Sequence, residues 1–361
     1  MNSTSVGLLS PTTTMWKQWN NCQISTVLTF MFYFERGFTF PLSVSGFFLH
    51  IIAMIVIRRV QKKSPVHVSH IIILMSLLVD DMIFAFTNSW RFGFRSILYQ
   101  AIHGDAVFMV DMKETFPEIF WSCAVLNKVW HSFRNMIIAL LAVERFIVVS
   151  YPLKARKICT SRNSTILITV CGFLALLRLQ YAFGVGDIWI WTKNPCSGKW
   201  QFYNDNSDWW GKTFWFPTLG DYWLHLTTTL VPPVSISGAM SIGLLVSLSK
   251  SVKRREKLAS TSMSGSQLEE QQKVIRSARS VLILSICFFI LQMPQAIDRV
   301  VSMAHIITET KPSAAFNAFM TLSRNFADAM TALDIVIDFI AIILANRKYR
   351  EELKSCLTFR Y

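Results

Sequence analysis

The stretch LLAVERFIVVSYPLKARKICT, residues 140–160, decides how this chain is read. A long apolar run ends in a charge pair, Glu144-Arg145. Pro152 and the basic residues Lys154, Arg156, Lys157 and Arg162 follow at once. Charge at the end of such a run is costly unless it meets a membrane surface or a protein-lined cavity.

The rest of the composition agrees with a chain whose solvent is partly lipid. Of its 361 residues 52% are hydrophobic and only 16% are charged, and the mean hydropathy is +0.38. A soluble domain carries about 25% charged residues. The 28 Phe and 12 Trp suit aromatic belts at bilayer interfaces. The net charge of +14 lies mostly in short segments between apolar runs, which is membrane-orienting charge and argues against nucleic acid as a partner. Seven Cys without paired spacing argue against a zinc site, and no metal or cofactor is expected. Residues 1–22 lack the basic start and apolar core of a cleaved leader, so the first apolar span directs its own insertion.

Segments long enough to cross a bilayer, about 20 residues each, fall near 39–60, 68–89, 119–149, 164–184, 220–249, 276–305 and 317–345. The third, fourth and seventh carry internal charge and should face neighbouring helices. The expected fold is all-α, a seven-transmembrane helix bundle closed by a short C-terminal amphipathic helix. Residues 1–38 form the outer terminus, 39–345 the membrane domain, and 346–361 the inner helix and tail. Segments 58–67, 150–163, 250–279 and 346–361 hold 21 of the 36 Lys and Arg, so the positive-inside rule puts them in the cytoplasm and the N-terminus outside. No inverted repeat of the transporter kind is found.

Segment 250–275 is Ser-rich in its middle and reads as a flexible loop between two helix extensions. NRKYREELKSC fits a helix on the inner leaflet, where membrane lipid is its partner; Cys356 there is either a palmitoylation site or a plain thiol. Outside, residues 90–118 and 185–219 are long loops. The second is crowded with aromatics from Trp189 to Phe216, which read either as a functional surface or as a belt on the bilayer. Asn2-Ser3-Thr4 is an outer glycosylation sequon, whereas Asn163-Ser164-Thr165 falls on the inner side and is disregarded.

Across residues 39–357 the chain resembles rhodopsin-like (class A) G-protein-coupled receptors. Glu144-Arg145-Phe146 with Tyr151-Pro152-Leu153 matches the family's third-helix end, and Leu77 and Asp81 match its second-helix leucine and aspartate. Pro232 or Pro233 matches the fifth-helix proline. CFFILQMPQ supplies Cys287 and Pro294, but Gln292 stands where the family has tryptophan. LDIVIDFIAIILANRKYREEL aligns with NPxxY and its following helix, with Asp338 at the asparagine, Phe339 at the proline and Ile342 at the tyrosine. PLKARKICT and the MPQ-A-I sequence look like invertebrate receptors for FMRFamide-like and myosuppressin-like neuropeptides. Nematode chemosensory receptors are the nearest competitor.

The resemblance implies coupling to a heterotrimeric G protein at the plasma membrane, with Glu144, Arg145, Phe146, Pro152, Pro294 and Asp338 in activation. Arg145 would pair with Glu144 at rest and meet the G protein's C-terminal helix on activation. With Gln271 and Gln272 in place of a well-placed acid, a lock between helices three and six looks weak. The resemblance also implies a Cys123–Cys196 disulfide, which agrees with both thiols lying on the oxidising side.

Arg134 lies about 17 Å outward of Arg145 along the same helix. It stands where the family has a small residue lining a sodium pocket, so a salt-bridge cluster with Asp81 and Asp338 is expected, with Asp80 or Asp334 as further members. The guanidinium would replace the ion, because an unpaired charge there would cost several kcal/mol.

Candidate ligand contacts are Lys128, His131, Asp298, Arg299, Arg324 and Asp328. An amidated Arg-Phe peptide needs an acid and aromatic surface; alternatively Asp298 pairs with Arg299 or Arg324. Asp111 lies in a loop, which disfavours a monoamine. The leading reading is a receptor for an extracellular peptide, with a small-molecule chemosensor second and a transporter or channel third. No nucleophile-base set or phosphate loop suggests an enzyme.

Overall fold

The structure is a computed structural model and describes residues 34–63, 68–90, 117–184, 188–193, 200–205, 230–258, 265–307, 314–344 and 346–358. Asn2, Cys22, Asp111, Cys196 and most of the expected outer terminus lie outside these residues.

Among the described residues helix dominates. A π-helical turn, Glu35–Thr39, leads into α1 (Phe40–Lys63), followed by α2 (Val68–Ser89) and α3 (Pro117–Ser150). A short α4 (Pro152–Ile158) precedes α5 (Ser161–Gly184). Beyond a hairpin come α6 (Val231–Leu258), α7 (Gly265–Ile307) and α8 (Ala314–Phe339), which passes through a second π-helical turn, Ile340–Leu344, to α9 (Arg347–Leu357). α1 packs on α2 and α8, α3 on α2, α5, α6 and α7, and α7 on α6 and α8, so the long helices close into a ring.

Four of these helices are long and apolar enough to cross a membrane: Gly37–Lys63, Val68–Ser89, Val231–Lys250 and Val281–Val301. Pro152–Ile158 and Ser161–Leu177, bent by 68°, make a fifth if they are one span. The chain therefore has the make-up of a membrane-spanning protein. Its surface agrees, since Phe48, Phe173, Ile242, Ile290 and Phe319 are each at least 58% exposed, an apolar area that water would not tolerate.

The helix interiors show why the ring closes. On α1 the buried positions Ser43, Gly46, His50, Ala53, Ile57 and Val60 recur every three or four residues, the period of one helix face. The first half of that face is small or polar and its second half adds Val56, Ile57 and Val60, while Phe48 and Ile55 look outward, as apolar residues do when the outer solvent is lipid. Gly46 is where α8 comes closest: an added Cβ would stand 2.9 Å from Ile335 Cγ2. Deeper in the bundle Leu77, Ile137, Ile138, Leu141, Leu284, Phe288, Ile342 and Ile343 form one fully apolar layer. Ile342, aligned above with a tyrosine, belongs to this dry layer.

Two details differ from the sequence reading. The segment read as an aromatic loop contains a hairpin, with Ile188–Lys193 antiparallel to Trp200–Asp205 and Trp191 opposite Phe202. The inner linker after α3 is itself helical, because Pro152 at the first turn of α4 lacks only a donor the helix would leave unused. Within 250–275 helix continues from α6 to Leu258 and resumes at Gly265, which agrees with the helix extensions expected there, and residues 259–264 lie outside the described residues. The C-terminal helix is present, and the Asn346 side chain caps it by accepting from Lys348 N at 3.1 Å.

Candidate functional site

Two arginines on α3 define the site. Arg134 and Arg145 are eleven residues apart, about three helical turns, and so share one face. Both are buried, at 0% and 3% exposure. The apolar layer of Ile137, Ile138 and Leu141 separates them.

Arg134 is fully paired. Its Nε donates to Asp81 Oδ1 at 2.6 Å and its Nη1 to Asp334 Oδ2 at 2.7 Å, while Nη2 donates to Asp338 Oδ2. The three carboxylates come from α2 and the C-terminal half of α8, spaced so that Asp334 and Asp338 fall on one face. His50 of α1 donates from Nδ1 to the Gly46 carbonyl at 2.7 Å, which fixes the ring. Its Nε2 then lies 3.1 Å from Asp81 Oδ2, at ion-pair distance but off the hydrogen-bonding line. Gln292 of α7 donates to Asp334 Oδ2 at 3.1 Å and accepts from His131 Nε2 at 3.2 Å. A polar chain thus runs from His131 through Gln292 to Arg134. Asp80 is buried beside the cluster, and neither of its oxygens has a hydrogen-bond partner among the described residues.

Arg145 is held differently. Its Nε donates to His70 Nδ1 at 3.1 Å and lies 3.5 Å from Glu144 Oε2. Its Nη2 is buried with no acceptor among the described residues. Glu144 in turn faces His70 Nδ1 at 3.1 Å and accepts from Ser69 Oγ at 3.1 Å. Ser69 Oγ and Ser164 Oγ are 2.7 Å apart, which ties α2 to α5. Tyr349 of α9 lies within electrostatic reach of Arg145; burial raises its phenol above the usual value and the guanidinium draws it back.

Around this end the surface is basic and apolar. Leu153 on α4 is 82% exposed, between exposed Lys154, Arg156, Lys157 and Arg162. Phe146 meets Tyr151 edge-on at 6.1 Å and covers Gly243 of α6, whose added Cβ would stand 2.7 Å from Phe146 Cε2. At the α1–α9 seam Lys63 Nζ pairs with Glu352 Oε2 at 2.6 Å, and Arg59 Nη1 lies 3.2 Å from Cys356 Sγ.

The structure therefore brings Arg134, Asp81 and Asp338 together and adds Asp334, whereas Asp80 makes no hydrogen bond to Arg134. Pro294 lies inside α7, where it leaves the Ile290 carbonyl without its usual donor. Among the candidate ligand residues, His131 is buried on α3 and engaged by Gln292, and Lys128 is exposed about one turn nearer the start of α3. Asp298 is buried on α7 beside the half-buried Arg299, and Asp328 is half-buried on α8. Arg324 lies on α8, and its side chain is outside the described residues. Cys123 is a free thiol.

His50, His70 and Gln292 were not among the sequence candidates. The first two had a legible signal, since a histidine in an otherwise apolar span needs a partner. No protein-family model matches the chain, and no curated protein matches it.

Proposed function

We propose that the chain is a seven-helix receptor of the rhodopsin-like kind, N-terminus outside, at the plasma membrane. It passes an extracellular signal, best fitted by an FMRFamide-like neuropeptide, to a heterotrimeric G protein at the Arg145 end. The observation that carries this reading is the state of Arg145. A buried guanidinium with one donor unused is an unstable resting place, and a partner offering helix C-terminal carbonyls would complete it. Leu153, exposed amid cations, offers that partner an apolar contact on the same rim.

The two long helices that fail a simple apolarity criterion also fit. α3 and α8 carry Arg134, Asp334 and Asp338, all at 0% exposure and paired with one another. These charges meet one another inside the bundle and present nothing to lipid, which supports reading α3 and α8 as spans. Under this reading a Cys123–Cys196 bridge would form at the outer end.

The test is expression in cells with a promiscuous G protein and a panel of amidated neuropeptides. A calcium rise to one of them is expected. Silence to every peptide with responses to small odorants would replace the peptide with an environmental ligand, and ligand-independent ion currents would replace the receptor with a transporter or channel.

A further inference from the structure

The contact of His70 with Glu144 and Arg145 holds more information than a pairing. Three atoms form a triangle: Arg145 Nε, His70 Nδ1 and Glu144 Oε2, with sides of 3.1, 3.1 and 3.5 Å. Arg145 Nε always carries a hydrogen, so it needs a lone pair on Nδ1. Glu144 Oε2 always offers a lone pair, so it needs a hydrogen on Nδ1. One ring nitrogen cannot provide both. With Nδ1 bare, His70 accepts from Arg145. With Nδ1 protonated, His70 donates to Glu144 and turns a like charge toward Arg145.

We propose that His70 is the positioning residue that holds Arg145 at rest, and that it does so only while neutral. This deepens the reading above and rests on it for its signalling consequence. The described restraint on Arg145 comes from α2, through His70. Protonation removes it twice over: Arg145 loses its acceptor, and Glu144 gains a rival cation. The charged and titratable groups facing this triad are Glu144 and Arg145 of α3, Cys159 between α4 and α5, and Tyr349 of α9. Ser69 and Ser164 are further polar neighbours. The Cys159 thiol is raised by burial first and by Glu144 second, and the Tyr349 phenol is raised by burial. Of these side-chain types, histidine is the one whose charge change ordinarily falls between about pH 5 and 8.

Substitutions separate this role from packing. In His70→Asn the amide can accept from Arg145 through its oxygen and donate to Glu144 through its nitrogen, both at once. His70→Phe keeps the ring and offers neither. Purified full-length protein in nanodiscs would be given two measurements. Nitrogen NMR of histidine-labelled protein, with the His70 signal identified by its loss in His70→Asn, reads the ring directly. A bare Nδ1 at about pH 8 that becomes protonated toward about pH 6 is expected. A neutral ring with its hydrogen on Nδ1, or no change across that range, overturns the proposal. Ligand-free nucleotide exchange on an added G protein is the second measurement. The wild type should rise several-fold on acidification, His70→Asn should stay low and flat, and His70→Phe should stay high and flat. A wild type and His70→Asn with identical pH profiles would also overturn it. If the ring titrates as expected but no form drives exchange, the hold on Arg145 stands and the receptor reading falls.

Discussion

Arg134 and Arg145 share a helix, a face and near-complete burial, yet their surroundings are opposite. Arg134 spends every edge of its guanidinium on a carboxylate, one from α2 and two from α8. Arg145 has one neighbouring acid, shares a histidine with it, and leaves a donor unused. The first arrangement engages every nitrogen of the arginine, although one oxygen each of Asp81, Asp334 and Asp338 has no hydrogen-bond partner among the described residues, and it is suited to holding helices together. The second is incomplete and is suited to exchanging partners. The dry layer of Ile137, Ile138, Leu141, Phe288 and Ile343 between them lets the two differ, because it keeps water from levelling their energetics.

The comparison breaks first at Arg134. Replacing it with Leu strands three buried carboxylates, and removing one partner of such a set costs about 3–5 kcal/mol. Arg134→Leu should therefore give little folded protein, read by detergent-solubilised yield and by melting in size-exclusion profiles. Arg145→Ala should fold and reach the surface with a melting temperature close to wild type, while losing all coupling to G protein. Equal stability of the two variants would show that the arginines are not differently employed. Intact coupling in Arg145→Ala would remove the role given to it.

Smaller changes sharpen the picture. Gly46→Ala pushes a Cβ against Ile335 Cγ2, at 2.9 Å, on the face that carries Asp334 and Asp338. Overpacking of this kind costs about 1–3 kcal/mol, so a lower melting temperature is expected. Asn346→Ala removes the cap of α9, for which a loss of about 1 kcal/mol is ordinary; a modest drop in melting temperature and looser protection of Tyr349 in hydrogen exchange should follow. The least effect belongs to Arg347→Ala. Arg347 and Glu351 are exposed partners on α9, 2.6 Å apart, and solvent screens such a pair. The bond from Arg347 holds the Glu351 carboxyl below its usual value, so whatever it contributes is present above the ordinary glutamate range and fades as pH falls through the lowered value. Thermal melting at neutral pH should not distinguish this variant from wild type.

How much of this was legible beforehand depends on the kind of signal. The helices were readable because long apolar runs and their basic flanks leave little choice, and the span ends agree with the helices to within a few residues except where α6 runs on past 249 to Leu258, α7 begins at Gly265 ahead of 276, and residues 220–229 lie outside the described set. The Arg134 cluster was readable for an energetic reason: a cation at that depth had to find acids, and few stood at the right height. Which of the candidates would reach it was not readable. Asp80 and Asp81 are neighbours in sequence but point about 100° apart around the helix, and only packing against α3 decides between them. The Arg145 surroundings were half readable. Glu144 is adjacent in sequence, but His70 arrives from another helix 75 residues away, and no local pattern records that meeting. The hairpin was missed because its aromatic residues suggested surface without fixing a register.

The proposed function requires Arg145 to face the cytoplasm after an odd number of crossings. The direct measurement places one epitope ahead of Met1 and another after Tyr361 and stains intact cells, then permeabilised ones. The leading tag is expected to stain in intact cells and the trailing tag only after permeabilisation. A trailing tag that stains on intact cells, or a leading tag that does not, would contradict the account.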